Sequence, residues 1–198
     1  MPNPSDPRPW KLLRQEPGPD LRVFRSRFEW RLNPRNNHEL KCLVLESRDW
    51  VNVVALTPEK EVVLVKQFRF GRGEVTIEIP GGVVDSGEEH GAAARRELTE
   101  ETGFSGGKWT YLGASEPNPA ILNNLCHHWL AEDVVRNHPI QLDEGEDIEV
   151  FTTGRDDLAG MIGTGKLRHS LVLVALHRAL NLDQLVTNQI FAKNGMAK

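Results

Sequence analysis

Glu97, Glu100 and Glu101 stand at i, i+3 and i+4, so a helix carries their three carboxylates on one face. Like charges at that spacing repel. They also fall in the C-terminal half of the helical stretch Glu88 to Thr102, where the helix dipole disfavours anions. Such a cluster calls for a counter-charge, and oxygen-only ligands suit hard divalent cations, Mg2+ above all. The competing reading is a solvated acidic helix face. That reading expects lysine among the glutamates, and lysine is absent from Glu88 to Phe104. Glycine ahead of the helix allows a tight loop that turns backbone carbonyls toward the same ion.

The spacing goes further. Gly82 to Phe104 fits G-x5-E-x7-R-E-U-x-E-E-x-G-U at every fixed position, with Leu98 and Phe104 as the bulky apolar U. Chance agreement in a chain of this length is on the order of one in a million at ordinary residue frequencies. This stretch resembles the signature of the Nudix hydrolases, which cut a nucleoside diphosphate linked to another moiety with Mg2+ or Mn2+. The resemblance implies an α/β/α sandwich over about Asp49 to Leu182. It implies that Glu97 and Glu101 are the principal metal ligands, that Glu100 is a further ligand or positions water, and that the Gly81 carbonyl ligates as well. Glu88 and Arg96 are expected to pair and orient the loop ahead of the helix.

The flanks are similar to ADP-ribose pyrophosphatases and related nucleotide-sugar hydrolases. Lys66-Gln67-Phe68-Arg69 resembles their Q-Y/F-R, and Glu78-Ile79-Pro80-Gly81-Gly82 their E-x-P-A/G-G. Pro119 lies close to where that group carries a proline. Asp143-Glu144-Gly145-Glu146-Asp147-Ile148 resembles their acidic loop. There Glu144 matches the general base and Glu146 a residue that touches metal, the alternative being a solvated turn. Glu78 is a further metal-ligand candidate, and Glu100 and Glu78 are the next bases to consider. Arg69, Trp50, Pro119 and Asn123 are the expected substrate contacts. One segment departs from the pattern: Glu116 to Asn124 is not the S-P-G type. Its asparagines are either turn formers or readers of another base or sugar, such as GDP-mannose.

The elements that must hold these groups read as follows. Residues 1–20 carry six prolines and little periodicity, which predicts a tail or arm. Val23 to Leu32 and Glu39 to Leu45 predict two antiparallel strands joined by Asn33 to Asn37. Val51 to Leu56 and Val62 to Gln67 predict a hairpin around Thr57 to Lys60. Further strands are expected at Glu74 to Ile79, Tyr111 to Ala114, Cys126 to Ala131 and Ile148 to Thr152. Helices are expected at Glu88 to Thr102, Asp156 to Ile162 and Leu171 to Leu182. The fold class is therefore α+β: a mixed-sheet sandwich over 47–198 plus a small N-terminal antiparallel unit over 1–46. Two strands are marginal alone. Phe24, Phe28 and Trp30 on them predict a homodimer in which they pack on the other subunit.

Composition excludes several classes. The chain has 198 residues, 39% hydrophobic and 26% charged, with a net charge of −4. That balance fits one soluble domain with an appendage and argues against a long nucleic acid as partner. There is no apolar run of about 20 residues and no signal-like N-terminus, so neither membrane nor export is expected and the cytoplasm is. Cys42 and Cys126 cannot form a disulfide framework. His127-His128 has no zinc-spaced partner, so a structural role is expected. Trp30 or Trp50 could stack on a base, though core or interface anchoring is the default for tryptophan. The expected partner is a small nucleotide sugar. A non-catalytic nucleotide sensor is the competing class, disfavoured because the glutamate set is complete.

Overall fold

The computed structural model describes residues 6–181. Leu182, the expected end of the last helix, and Met1 to Ser5 lie outside them. Two runs rich in valine and leucine build the centre. β4 (Trp50–Leu56) and the first half of β5 (Val62–Arg69) are buried on both faces, and so read as continuous apolar runs rather than alternating ones. β4 lies parallel to β9 (Cys126–Glu132) along its whole length, Trp50 opposite Cys126 through Leu56 opposite Glu132. β8 (Lys108–Ser115) flanks β9, while β5 takes β11 (Ile148–Thr153) on one side and β6 (Glu74–Glu78) on the other.

The expected β4–β5 hairpin forms only at its tip. Its turn closes through Lys60 N–H donating to the Thr57 carbonyl at 2.9 Å, but Leu56 and Val62 are the only paired residues. Beyond them β4 donates to the loop after β6 instead, Val53 N–H to Pro80 O at 2.8 Å and Val51 N–H to Gly82 O at 2.9 Å. The loop that leads into the glutamate helix is thereby stitched to the centre of the sheet. Sequence spacing shows the turn but not this competitor for the strand edge.

α1 (His90–Thr102) packs on one face of the sheet through Ala93, Ala94 and Leu98, against Val51, Val53, Ala55 and Val63. Gly103 ends it in the left-handed conformation, φ 73°. α2 (Arg155–Gly163) and α3 (Ser170–Leu180) cover the other face through Leu158, Val172 and Leu176 against Val54, Leu56 and Leu64. This is the expected mixed-sheet α/β/α sandwich. A two-stranded ribbon of β7 (Phe104–Ser105) and β10 (Val135–Arg136) was not expected. Among the described residues, no helix is long and apolar enough to cross a membrane.

A separate unit runs up to Ser47 and takes in Glu116–Asn124. Its sheet has three strands, not two: β1 (Lys11–Asp20), β2 (Arg25–Leu32) and β3 (Glu39–Glu46). The proline-rich stretch read as an arm is therefore largely strand. It lies at a sheet edge, where a missing N–H is tolerated, and its register breaks between Pro17 and Asp20. Phe28 and Trp30 are half-buried, and cations cover them: the Arg14 guanidinium sits 3.9 Å from the Trp30 ring and Lys41 Nζ 4.0 Å from the Phe28 ring. The exposed large apolar side chains of this unit are instead Leu12, Leu13, Leu21, Val23, Leu40, Leu43 and Ile121.

Candidate active site

The glutamates of α1 do not share one environment. Glu101 is 3% exposed, and its Oε2 accepts the Gly81 N–H at 3.0 Å. Burial, with the nearby charges of Glu97 and Glu146, pushes its carboxyl up to about 8. Glu97 is pushed up to about 6 by burial, although Arg96 pulls the other way. Glu100 is more exposed. Arg96 binds them together: its Nη1 donates to Glu97 Oε1 at 2.9 Å and to Glu100 Oε2 at 3.1 Å. Its Nε and Nη2 grip the two oxygens of Glu88, each at 3.0 Å, and Nη2 also reaches the Val83 carbonyl at 3.1 Å. The Glu88–Arg96 pair is thus present, with a wider reach than its motif positions suggest.

Glycine is required where the loop passes the helix. A Cβ at Gly82 would overlap the Glu97 carboxylate, and one at Gly81 would overlap the Val51 carbonyl. The sequence signal for Arg96's reach was its place one residue before Glu97 and four before Glu100.

Around this core, the expected residues fall in different places. Arg69 and Glu78 engage each other, Nε to Oε1 at 2.8 Å and Nη2 to Oε2 at 2.7 Å, with Thr76 Oγ1 donating to Oε1 at 2.7 Å. Burial alone would raise the Glu78 carboxyl, but this grip holds it below the usual range. Glu146 is close enough for its charge to act on Glu97, Glu101 and Arg69. It closes a turn by accepting the Asp143 N–H at 3.0 Å. Glu144 is exposed and makes no hydrogen bond or ion pair among the described residues. Trp50, half-buried, begins β4. Pro119 and Asn123 belong to the other unit, where Asn123 Oδ1 accepts the Ser47 N–H at 3.2 Å. Asn118 Oδ1 accepts the Ala120 N–H at 3.3 Å, the turn-forming role.

The donor set fits a hard divalent ion. Burial and mutual repulsion hold the Glu97 and Glu101 carboxyls above their usual range, and among the described residues no protein cation is bonded to Glu101, so an ion of +2 charge relieves what burial imposes. Among the described residues no three acidic, histidine or cysteine side chains already converge on one point.

The histidine pair is structural. His127 uses both ring nitrogens, Nδ1 with Tyr111 Oη at 2.8 Å and Nε2 with Asp49 Oδ2 at 3.2 Å. His128 is fully buried on the opposite face, with Nε2 on Ser115 Oγ at 2.7 Å and Nδ1 unpartnered. Cys126 is buried beside Asn52, and burial pushes its thiol up to about 12, so it is inert.

A sandwich of this topology, with glutamates at this spacing on α1, defines a class of protein, and comparison with known proteins agrees. The NUDIX domain profile matches residues 46–169. The chain belongs to the Nudix family. It is 36% identical over 113 residues to an ADP-ribose pyrophosphatase of Bacillus subtilis (strain 168), covering 57% of this chain and 61% of that one. It is 36% identical over 109 residues to an ADP-sugar pyrophosphatase of Mus musculus, 49% and 47% of the two chains. It is 32% identical over 130 residues to a GDP-mannose pyrophosphatase of Escherichia coli O9:H4 (strain HS), 61% and 67%. The match thus spans about three fifths of the Bacillus relative's length. A solved ADP compounds hydrolase superposes with a TM-score of 0.77 over 98% of this chain and 100% of its own, at 17% identity, a likeness of fold.

Proposed function

We propose that this protein is a Mg2+-dependent pyrophosphohydrolase that cuts a nucleoside diphosphate sugar, ADP-ribose by preference, into a nucleoside monophosphate and a sugar phosphate. The observation that carries the reading is the pair of buried carboxylates, Glu97 and Glu101, on a complete Nudix helix tied to β4. The ADP-ribose and ADP-sugar pyrophosphatases among its relatives support the substrate class.

Glu97 and Glu101 hold the metal, with Glu100, Glu146, Glu78 and the Gly81 carbonyl as further candidates. When bound, the ion neutralises charge on the two phosphates and acidifies water. Arg69, whose Nη1 makes no hydrogen bond among the described residues, and Trp50 meet the substrate. Glu144 accepts the proton of the attacking water, because carboxylates engaged with metal are poor bases. Water adds to one phosphorus, the anhydride P–O bond breaks, and each product leaves as a phosphomonoester.

A second reading, GDP-mannose as substrate, is favoured by the Escherichia coli relative and by the atypical segment 116–124. Product analysis decides between them. ADP-ribose, GDP-mannose, ADP-glucose and dinucleoside polyphosphates are each offered with Mg2+. AMP and ribose 5-phosphate as the fastest-formed products support the first reading. GMP and mannose 1-phosphate support the second, and no turnover of any of them removes both. Glu101→Gln should lower turnover by orders of magnitude while leaving the protein folded.

A further inference from the structure

Away from the glutamates, aromatic and titratable side chains from α1, β8, β9 and the residue before β4 meet at the start of α1. His90, the first residue of the helix, is half-buried and lies flat on His127 of β9, the ring centroids 4.1 Å apart and the planes 6° apart. Tyr111 of β8 stacks on the same His90 ring at 4.9 Å. Trp129 Nε1–H donates to His90 Nδ1 at 3.2 Å, and Gly91 seats the helix so close to that indole that a Cβ would stand 3.0 Å from it. His127 Nε2 faces the Asp49 carboxylate and its Nδ1 faces the Tyr111 hydroxyl.

These partners fix where the protons sit. A carboxylate only accepts and an indole N–H only donates, so neutral His127 carries its proton on Nε2, and so does neutral His90. Protonated His127 keeps both partners, because the Tyr111 hydroxyl can turn and accept. Protonated His90 loses one. Its new Nδ1–H points at the Trp129 N–H, donor against donor, and its charge falls 4.1 Å from the His127 ring and on a helix N-terminus, where cations are disfavoured. Burial, with the charge of His127, holds the His90 imidazole below its usual 6.5, against the pull of Glu89 and Asp49. The cations beyond are engaged elsewhere, Arg178 of α3 on the Leu112 and Ala114 carbonyls and Arg95 over the Trp109 ring. His128 lies on the opposite face of β9.

We propose that His90 is an acid-sensitive latch: protonation of its imidazole frees the first turn of α1 from Trp129 and His127, while the rest of the helix stays in place. The later turns have anchors of their own, Leu98 in the core and Arg96 on Glu88, so the opening is local. The start of the glutamate helix thus answers to pH through a group separate from the glutamates. The inference stands apart from the reading of α1 as a metal site.

NMR of the full chain follows the His90 ring and the Trp129 indole N–H as the pH is lowered from neutral until the protein unfolds. Exchange of the Ala92 and Ala93 amides, which both bond the Glu89 carbonyl, is measured alongside and corrected for the intrinsic pH dependence of exchange. In the wild type all of these should change together, at one midpoint below 6.5. The two amides should exchange severalfold faster in the acid form while Leu98 keeps its protection. His90→Gln places an uncharged acceptor near the indole, so the indole resonance and both amides should hold steady across the same range. Trp129→Phe removes the opposing donor and should raise the His90 midpoint. A ring that titrates while the indole and the amides stay put overturns the proposal, as does a ring that remains neutral up to global unfolding. Persistence of the transition in His90→Gln, or an unchanged His90 midpoint in Trp129→Phe, overturns it too. Should either variant fail to fold, the other variant and the wild-type coincidence decide.

Discussion

Arg69 and Glu78 form a two-pronged ion pair in which the acid is 3% exposed and the base keeps 44% of its side chain in solvent. The strands that bear them, β5 and β6, run antiparallel, and the pair reaches along them from Arg69, opposite Glu74, to Glu78, opposite Val65, with the charge of Glu101 near enough to act on Arg69. Removing the base leaves a buried carboxylate uncompensated. Arg69→Ala should destabilise the fold by about 2 kcal/mol, less than a fully buried pair because water already screens the guanidinium. Urea unfolding measures this, and adding Glu78→Gln should recover part of the loss. Additive losses would show that the two residues do not act as a pair.

The acidic turn supplies a second prediction. Glu144→Gln should lower kcat strongly with little change in KM, since a base acts mainly in the transition state. Glu146→Gln should shift the metal-concentration dependence instead, because its charge reaches Glu97 and Glu101. An unchanged kcat in Glu144→Gln would move the base to Glu100 or Glu78.

His128 makes stability depend on pH. Burial first, with the charges of Arg178 and His127 added, pushes its imidazole down to about 4 from 6.5. Above the unfolded value both states are neutral and the group contributes no dependence. Between 6.5 and about 4 the unfolded chain takes up a proton that the folded protein excludes, so stability falls as the pH falls through that window. The full effect is about 3 kcal/mol. His128→Leu should flatten this part of the profile in urea titrations at neutral and acid pH. A wild-type-like slope in the variant would assign the effect elsewhere.

Assembly gives the last prediction. Val23, between β1 and β2, and Leu40 and Leu43, on the two faces of β3, are exposed apolar side chains of the three-stranded unit. The protein should sediment as a homodimer, and Leu43→Glu with Leu40→Glu should yield monomers. A wild-type monomer across the concentration series would refute the dimer.

Spacing made the chemistry of α1 legible because a helix is a local structure. Residues three and four apart share a face whatever surrounds them, and the glycine stop at Gly103 is equally local. The sandwich was legible from the mixture of expected strands and helices and from the resemblance carried by Gly82 to Phe104. The proline stretch misled because proline signals irregular backbone without showing that a sheet edge lies beside it. The asparagines of 116–124 were left open between two roles, and hydrogen bonds now tie two of them, Asn118 and Asn123, into the backbone.

The amino-acid order alone therefore determined which side chains could do the chemistry: three carboxylates on one helix face, an arginine among them and a glycine-rich approach. It could not determine which donor each carboxylate would meet, or that β4 would leave β5 for Pro80 and Gly82. Those outcomes bring together groups twenty or more residues apart, such as the Gly81 amide and Glu101, or β4 and the loop that follows β6. Donors and strand edges so far apart in the chain are matched by folding, where each buried polar group must find a partner, and no short-range spacing encodes that choice.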